Sequence, residues 1–262
     1  VTTQNVATRM EEVNLYTPIV TTIAVVLIAQ GLLTNCYGLL SNKNPDSQQL
    51  PTRHIQLHVK RKIQHVATGL VFIAIDMSNL LTPHIAALVL FCCALLFLLF
   101  VHVVPRQLFV DIFKDILRKE EAEGKVYPAS LWFLMGFAGA ISLLPNHPDI
   151  YRIALLHLAL GDPAAGICGG LYGKTKVGVG KKTIEGCIGC FVVCAIVTGL
   201  YLWGTNNTVS DRWVLCLMGG LVGSLAELIP TPLDDNFSLP IFSALGLWVM
   251  NEYCFHFSRI RE

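Results

Sequence analysis

Windows of about twenty apolar residues recur along the whole chain, each long enough to cross a hydrocarbon core as one helix. They fall at 16–40, 63–81, 85–104, 126–144, 152–171, 186–203, 213–230 and 238–257. The pattern predicts an all-α, polytopic membrane helix bundle of about eight transmembrane segments. A polar tail at 1–15 precedes it, one integral membrane domain occupies 16–257, and a short tail covers 258–262. The first tail holds Glu11 and Glu12 without a basic cluster, so the window after it reads as a span rather than a cleaved signal. The fifth window is the weakest, because Gly161, Asp162 and Pro163 interrupt it. No motif occurs twice, which favours one bundle over inverted repeats.

One connection has a pattern of its own. Between Pro105 and Gly124, Leu108, Phe109, Ile112, Phe113, Ile116 and Leu117 form two neighbouring rows at four-residue spacing. Asp111, Lys114, Asp115 and Arg118 take the other face, which predicts an amphipathic helix in the interface plane, placed to bound a lipid entrance. A solvated connector is the alternative.

Composition agrees with lipid as the main solvent: 53% of the 262 residues are hydrophobic and 14% charged, and mean hydropathy is +0.58. A net charge of +1 gives no general attraction to nucleic acid, so the information lies in placement. Fourteen of the 19 Lys and Arg fall in connections 41–62, 105–125, 172–185 and 231–237, which marks these as cytosolic. Asn206-Asn207-Thr208, a glycosylation acceptor by pattern, then falls on the opposite side. Most of the nine cysteines sit inside apolar runs and read as reduced packing residues. Cys187 and Cys190 form a single CxxC with no second pair at zinc spacing.

Ionisable residues within spans need a partner, a wet cavity or a function. Asp162 is the sharpest case, set in Leu160-Gly161-Asp162-Pro163-Ala164-Ala165-Gly166, where proline is expected to break the helix. The loop Gly170 to Gly186 is rich in glycine and lysine and opens a helix. Its amides and Lys181 and Lys182 suit phosphate, although GxxxxGK[ST] spacing is absent. The last connection carries Asp234, Asp235 and Asn236 with Glu227 one turn earlier and no Lys or Arg; hard oxygens of this kind suit magnesium carried with phosphates. An N-cap for the final helix, from Asp235 or Ser238, accounts for one such residue but not the pair. Arg61 and His65 share a face at the start of the second window. Asp76 and His102 are further intramembrane polar residues, open to a structural pairing with each other. Under the topology set by charge, the Arg61/His65 segment, the Gly/Lys loop and the Asp-Asp-Asn turn reach one membrane face, with Asp162 beneath them. That is the inventory of a metal-phosphate site.

The ordered set RKIQH, GDPAAG with GGLYGK, KKTIEG and AELIPTPLDDNFSLP, within residues 60 to 250, resembles a family of membrane-embedded, CTP-using lipid enzymes. It includes phytol kinase, dolichol kinase, fungal-type CTP-dependent diacylglycerol kinase and, more distantly, CDP-diacylglycerol synthase. KKTIEG looks like a synthase segment, but Val179-Gly180 replaces the usual Ser-Pro, and no GHGGxxDR stretch follows. Asp234-Asp235-Asn236 with Pro240 looks like the kinase branch, and DDNFSLP most resembles its diacylglycerol members. The resemblance implies transfer of the terminal phosphoryl group of CTP to a lipid hydroxyl in the endoplasmic reticulum membrane, with the active site facing the cytosol. Asp162 with Asp234, Asp235 or both would hold Mg2+. Lys181 and Lys182 would steady the triphosphate, Glu185 would position a lysine or the metal, and Arg61 or His65 would meet the transferred phosphate. Lys62, Gly166, Gly173, Lys174, Thr183 and Asn236 complete the expected nucleotide contacts. An aspartate, or else His65, would take the hydroxyl proton.

Cytidylyl transfer to phosphatidate wants the same site. Dolichol and phytol remain alternative acceptors, and an ion or solute transporter with Asp162 in its path is the rival of another class. No oligomeric state is legible.

Overall fold

The computed structural model describes residues 50–114, 116–177, 182–205 and 212–255. The tails expected at 1–15 and 258–262, the window at 16–40, Asp115, Lys181 and the Asn206-Asn207-Thr208 acceptor lie outside them. Among the described residues every regular element is helical, and Lys176 with Thr183 makes one isolated bridge instead of a strand. In chain order the helices are α1 (Leu50–Met77), α2 (Pro83–Val103), α3 (Arg106–Phe113), α4 (Lys119–Ala122) and α5 (Ala129–Leu143). Then follow α6 (Pro148–Leu156), α7 (Asp162–Tyr172), α8 (Ile184–Gly204), α9 (Arg212–Leu228) and α10 (Asp235–Met250).

Among the described residues three stretches are helical, long and apolar enough to cross a membrane: α2, the rod Pro148–Tyr172 that runs from α6 through α7, and α8. Ala129–Leu143 and Trp213–Leu228 are apolar but shorter. The outward faces of these helices stay apolar. Leu88, Leu96 and Leu99 on α2 and Ile188, Ile196 and Leu200 on α8 are exposed, while Leu90, Ala94, Cys190 and Cys194 turn inward. A helix apolar on both faces has lipid, not water, on its outer side.

The core follows α6, where Ile150, Tyr151, Ile153, Ala154 and Leu155 are fully buried. Around it α8 packs on α9 and α7, and α5 packs on α2 and α10. Small residues allow two close approaches between helices. A Cβ on Gly136 of α5 would strike the Asn236 carbonyl of α10, and one on Gly69 of α1 would lie 2.5 Å from the Ala159 Cβ.

The break expected at Gly161-Asp162-Pro163 is instead a widening of a continuous rod. His157–Gly161 forms a π-turn in which the Asp162 amide donates to the His157 carbonyl, five residues back. In that register the Leu158 carbonyl would await the amide of residue 163, which is proline and has none. His65 fills the gap, its Nε2 at 3.0 Å from the Leu158 oxygen. The turn is also held from inside: fully buried His157 places one ring nitrogen 2.7 Å from Ser243 Oγ and the other 2.9 Å from Thr198 Oγ1.

The amphipathic connection is helical for a shorter length than its pattern suggests. In α3, Phe109 and Phe113 pack on Phe97 and Phe100 of α2, while Leu108 and Ile112 face outward. The chain then leaves the helix and is stitched by buried Glu121, whose carboxylate accepts from the Arg118 amide at 2.6 Å and the Ala129 amide at 2.9 Å. That stitch sends the Arg118 side chain across the bundle end instead of along a helix face.

Candidate functional site

The N-terminal half of α1, the start of α7, the segment before α8, the end of α9 and the start of α10 meet at one end of the bundle. Asp162 opens α7 directly after the π-turn and is buried; its Oδ2 lies 2.7 Å from Lys62 Nζ and 3.8 Å from His65 Nε2. Lys62 and His65 lie three residues apart on one face of α1, so a single helix delivers both to the same carboxylate. The His65 ring also meets the edge of Phe133, with centroids 4.7 Å apart.

A second cation stands between two further carboxylates. Lys182 Nζ lies 3.0 Å from Asp235 Oδ1 and 3.6 Å from Glu227 Oε1, and it donates to the Glu227 carbonyl. Burial pulls this ammonium down, but the carboxylates of Glu227 and Asp235 outweigh it and hold Lys182 above the ordinary lysine value. It is therefore charged at neutral pH. For Asp235 the balance runs the other way, since burial lifts its carboxyl above the usual range despite Lys182.

The third pair is Arg118 Nη1 with Asp234 Oδ2 at 3.2 Å. Asp234 also caps α10, its Oδ1 accepting from the Asn236 amide at 3.0 Å, so neither Asp235 nor Ser238 fills that position. The backbone explains the choice: Asp234 is extended, with φ −66° and ψ 144°, while Asp235 is already helical. Arg61 joins this group. Burial and the like charge of Arg118 push it below its ordinary value, and Glu121, Asp162 and Asp234 push it back up.

The remaining expected residues divide. The segment before α8 folds back on itself, with the Val177 amide donating to the Lys182 carbonyl and the Ile184 amide to the Thr175 carbonyl, each at 2.9 Å. Glu185 accepts from the Thr175 amide at 3.4 Å and also feels the charge of Lys174, a hold on this loop. Thr183 caps α8 by accepting from the Gly186 amide at 3.2 Å, and Gly173 lies beneath it, close enough that a Cβ would meet its Oγ1 at 2.9 Å. Lys174 is exposed and Gly166 half-buried. Asn236 is buried, with its amide nitrogen 3.4 Å from the Ala129 carbonyl, which ties α10 to α5. The charged set that converges is thus Arg61, Lys62, Arg118 and Lys182 with Asp162, Asp234, Asp235 and Glu227.

Such a set can hold phosphates and a divalent cation. Among the described residues no three His, Cys, Asp or Glu side chains form a ready-made cage. Magnesium carried with a nucleotide does not need one, because it keeps waters and phosphate oxygens and takes only one or two carboxylates. One detail supports the fit. Among the described residues Glu227 Oε2, which is buried, has no hydrogen-bond partner, an omission that costs about 1–3 kcal/mol or more for a charged group.

At 24% identity the chain is similar to phytol kinase 1, chloroplastic, of Arabidopsis thaliana over 212 residues, 76% of this chain and 68% of that protein. It is similar at the same identity to an uncharacterized protein of Methanocaldococcus jannaschii over 195 residues, 71% of this chain and 90% of that one. No family model and no solved structure matches. A lipid kinase is therefore among the proteins this chain resembles. The likeness adds to the apolar helices, which by themselves speak only for a membrane.

Two members of the charged cluster were not singled out from the sequence as site residues. Arg118 looked like the polar face of an amphipathic helix, and Glu227 was placed one turn before the Asp-Asp-Asn turn without a role of its own. The signal for Glu227 was present: a lone carboxylate ending a helix that is otherwise apolar. Nothing in the pattern marked Arg118, because its position depends on the Glu121 stitch. Asp76 and His102 do not pair with each other: Asp76 bonds Arg152, and His102 Nδ1 bonds the Leu98 carbonyl in its own helix.

Proposed function

We propose that the protein is a membrane-embedded lipid kinase that transfers the terminal phosphoryl group of CTP to a lipid hydroxyl, with diacylglycerol as acceptor and phosphatidate as product. The observation that carries this reading is the meeting of four cations and four carboxylates, from segments far apart in sequence, at one end of an apolar bundle. Phosphoryl transfer asks for charge neutralisation and alignment more than for covalent chemistry. Magnesium would screen the triphosphate, held by Asp162 and Asp235. Asp234 is committed to capping α10 and to Arg118, so it is the weaker ligand of the three expected.

Lys181, expected to help, lies outside the described residues. Lys182 and Arg118 bind phosphate oxygens from the solvent side in this reading, and Lys62 and Arg61 do so from α1. Their present carboxylate partners are then exchanged for phosphate and metal, which is why these ion pairs serve as placeholders. His65 Nε2 carries the proton it donates to the Leu158 carbonyl, which leaves only Nδ1 as a basic nitrogen, and in this reading the residue has a positioning role. It positions Asp162 by fixing the π-turn.

The same proposal includes eight spans, with the Lys- and Arg-rich connections and the site on the cytosolic side of the endoplasmic reticulum membrane. Phytol and dolichol are the other acceptors to test, phytol because of the plant relative. The deciding experiment uses purified protein in nanodiscs with magnesium and CTP or ATP labelled at the γ-phosphate. Each lipid alcohol is offered in turn. Labelled phosphatidate from CTP and diacylglycerol is the expected result. Formation of CDP-lipid from phosphatidate, with label in pyrophosphate, would replace the kinase by a cytidylyltransferase.

A further inference from the structure

We infer that Glu227 accepts the proton of the lipid hydroxyl when that oxygen attacks the terminal phosphoryl group. The inference rests on the kinase reading and adds the one role that reading leaves empty.

The carboxylate lies in the last turn of the apolar helix α9, with its side chain 10% exposed. Oε1 faces Lys182, whereas Oε2 is sealed from solvent and receives no hydrogen bond. The nearest described ammonium, Lys182, already serves Asp235 Oδ1 and the Glu227 carbonyl, so among the described residues Oε2 has no donor. A substrate hydroxyl would supply one. Position favours it as well: the Asp235 side chain is 43% exposed on the open side, whereas Glu227 is 10% exposed and ends the apolar helix α9.

The other candidates are held more closely, each with a cation nearer than the 3.6 Å between Glu227 Oε1 and Lys182. Asp162 Oδ2 is engaged by Lys62 and faces His65. Both Asp234 oxygens are bonded, one to the Asn236 amide and one to Arg118. Asp235 is joined to Lys182 on the open side. In the step itself the alcohol oxygen forms its bond to the terminal phosphorus as the bond from that phosphorus to the bridging oxygen breaks. CDP leaves with the bond's electrons, and the hydroxyl proton moves to Glu227 Oε2, to be lost to water after release. The charged groups around Glu227 are Asp162 on α7, Asp235 on α10, Lys182 before α8 and Lys62 on α1.

The test compares wild type with Glu227→Gln and Glu227→Ala in nanodiscs holding diacylglycerol, with γ-labelled CTP and magnesium. Glu227→Gln should lose about 10³-fold in kcat, keep KM for CTP and the magnesium midpoint within about twofold, and lose the acid limb of the pH profile. Added formate should restore part of the kcat of Glu227→Ala, a response that a purely structural role would not give. Turnover of Glu227→Gln within about threefold of wild type overturns the inference, as does a loss carried by KM with no formate rescue. If instead wild type labels no lipid alcohol at all, the kinase reading has failed and Glu227 falls with it. Should Glu227→Gln not assemble, Glu227→Asp decides: a lowered kcat at unchanged KM supports the role, and a wild-type kcat overturns it.

Discussion

Asp76 and Asp162 are both buried aspartates that tie α1 to the central rod, one at each end, yet they live in opposite circumstances. Asp76 lies about 21 Å along α1 from Lys62 at 1.5 Å per residue. Its Oδ2 receives Arg152 Nε at 2.5 Å, and Tyr151 Oη donates to the same carboxylate at 3.1 Å. Arg152 spends its Nη2 on the Asp76 carbonyl at 3.0 Å and Asn79 Oδ1 at 3.1 Å. That pair is closed, with one charge of each sign and several bonds on each partner. The Asp162 end holds carboxylates that repel one another, cations shared between them and an orphan oxygen on Glu227. A buried polar group that is fully bonded serves architecture; one left crowded and underbonded is kept for something that arrives later.

The largest effect that separates the two ends should come from their matched amide substitutions. Asp162→Asn should lower turnover by about 10³-fold, the scale of a lost electrostatic contact to a transferring group. Its thermal midpoint should fall less than that of Asp76→Asn, because Lys62, left without Asp162, still has Glu227 near it. Asp76→Asn should do the reverse, destabilising by about 3 kcal/mol as Arg152 is left uncompensated, with kcat per folded molecule unchanged. Thermal unfolding and turnover measured on both proteins check this. Equal losses of stability at both ends would erase the distinction.

A second comparison sharpens it. Replacing the closed pair by apolar residues, Asp76→Leu with Arg152→Met, should recover most of the stability lost in the single variant, to within about 1 kcal/mol of wild type. No such double change should restore activity at Lys62 and Asp162. Of the next size is Arg118→Ala, which removes a cation reaching the site from a loop. It should raise KM for the nucleotide about tenfold, the worth of one charge-assisted hydrogen bond, with kcat little changed.

These contrasts also explain what could be read from the chain. Asp162 was conspicuous because a charge beside proline inside an apolar run has few innocent readings. The gathering of Lys182, Asp235 and Arg61 followed from counting Lys and Arg by connection, since a common membrane face limits where loops can meet. The partnership of Asp76 with Arg152 was not legible, because it joins residues 76 positions apart whose windows gave no register between helices. The π-turn was hidden for a related reason: one extra residue in a turn shifts facing by about 100° without altering composition. Pro163 was read as a break when its missing amide is instead matched by His65. Asp234 and Asp235 looked alike until backbone geometry made one a cap and the other a partner of Lys182.

The smallest effect probes how far the closed character of the Asp76 end extends. Tyr201 on α8 donates its hydroxyl to Asp149 Oδ1 at 2.8 Å, at the start of α6 and three residues before Arg152. Both groups are buried, so Tyr201→Phe removes a donor from a carboxylate that solvent barely reaches. The expected loss is about 1–2 kcal/mol, since a hydrogen bond to a charged acceptor is worth somewhat more than a neutral one. Activity should not move, because the bond lies at the far end of α6 from Asp162. If Tyr201→Phe lowered kcat while leaving stability intact, the Asp149 carboxylate would have to act on the distant site. The division between a structural end and a reactive end would then give way to one network running the length of α6 and α7.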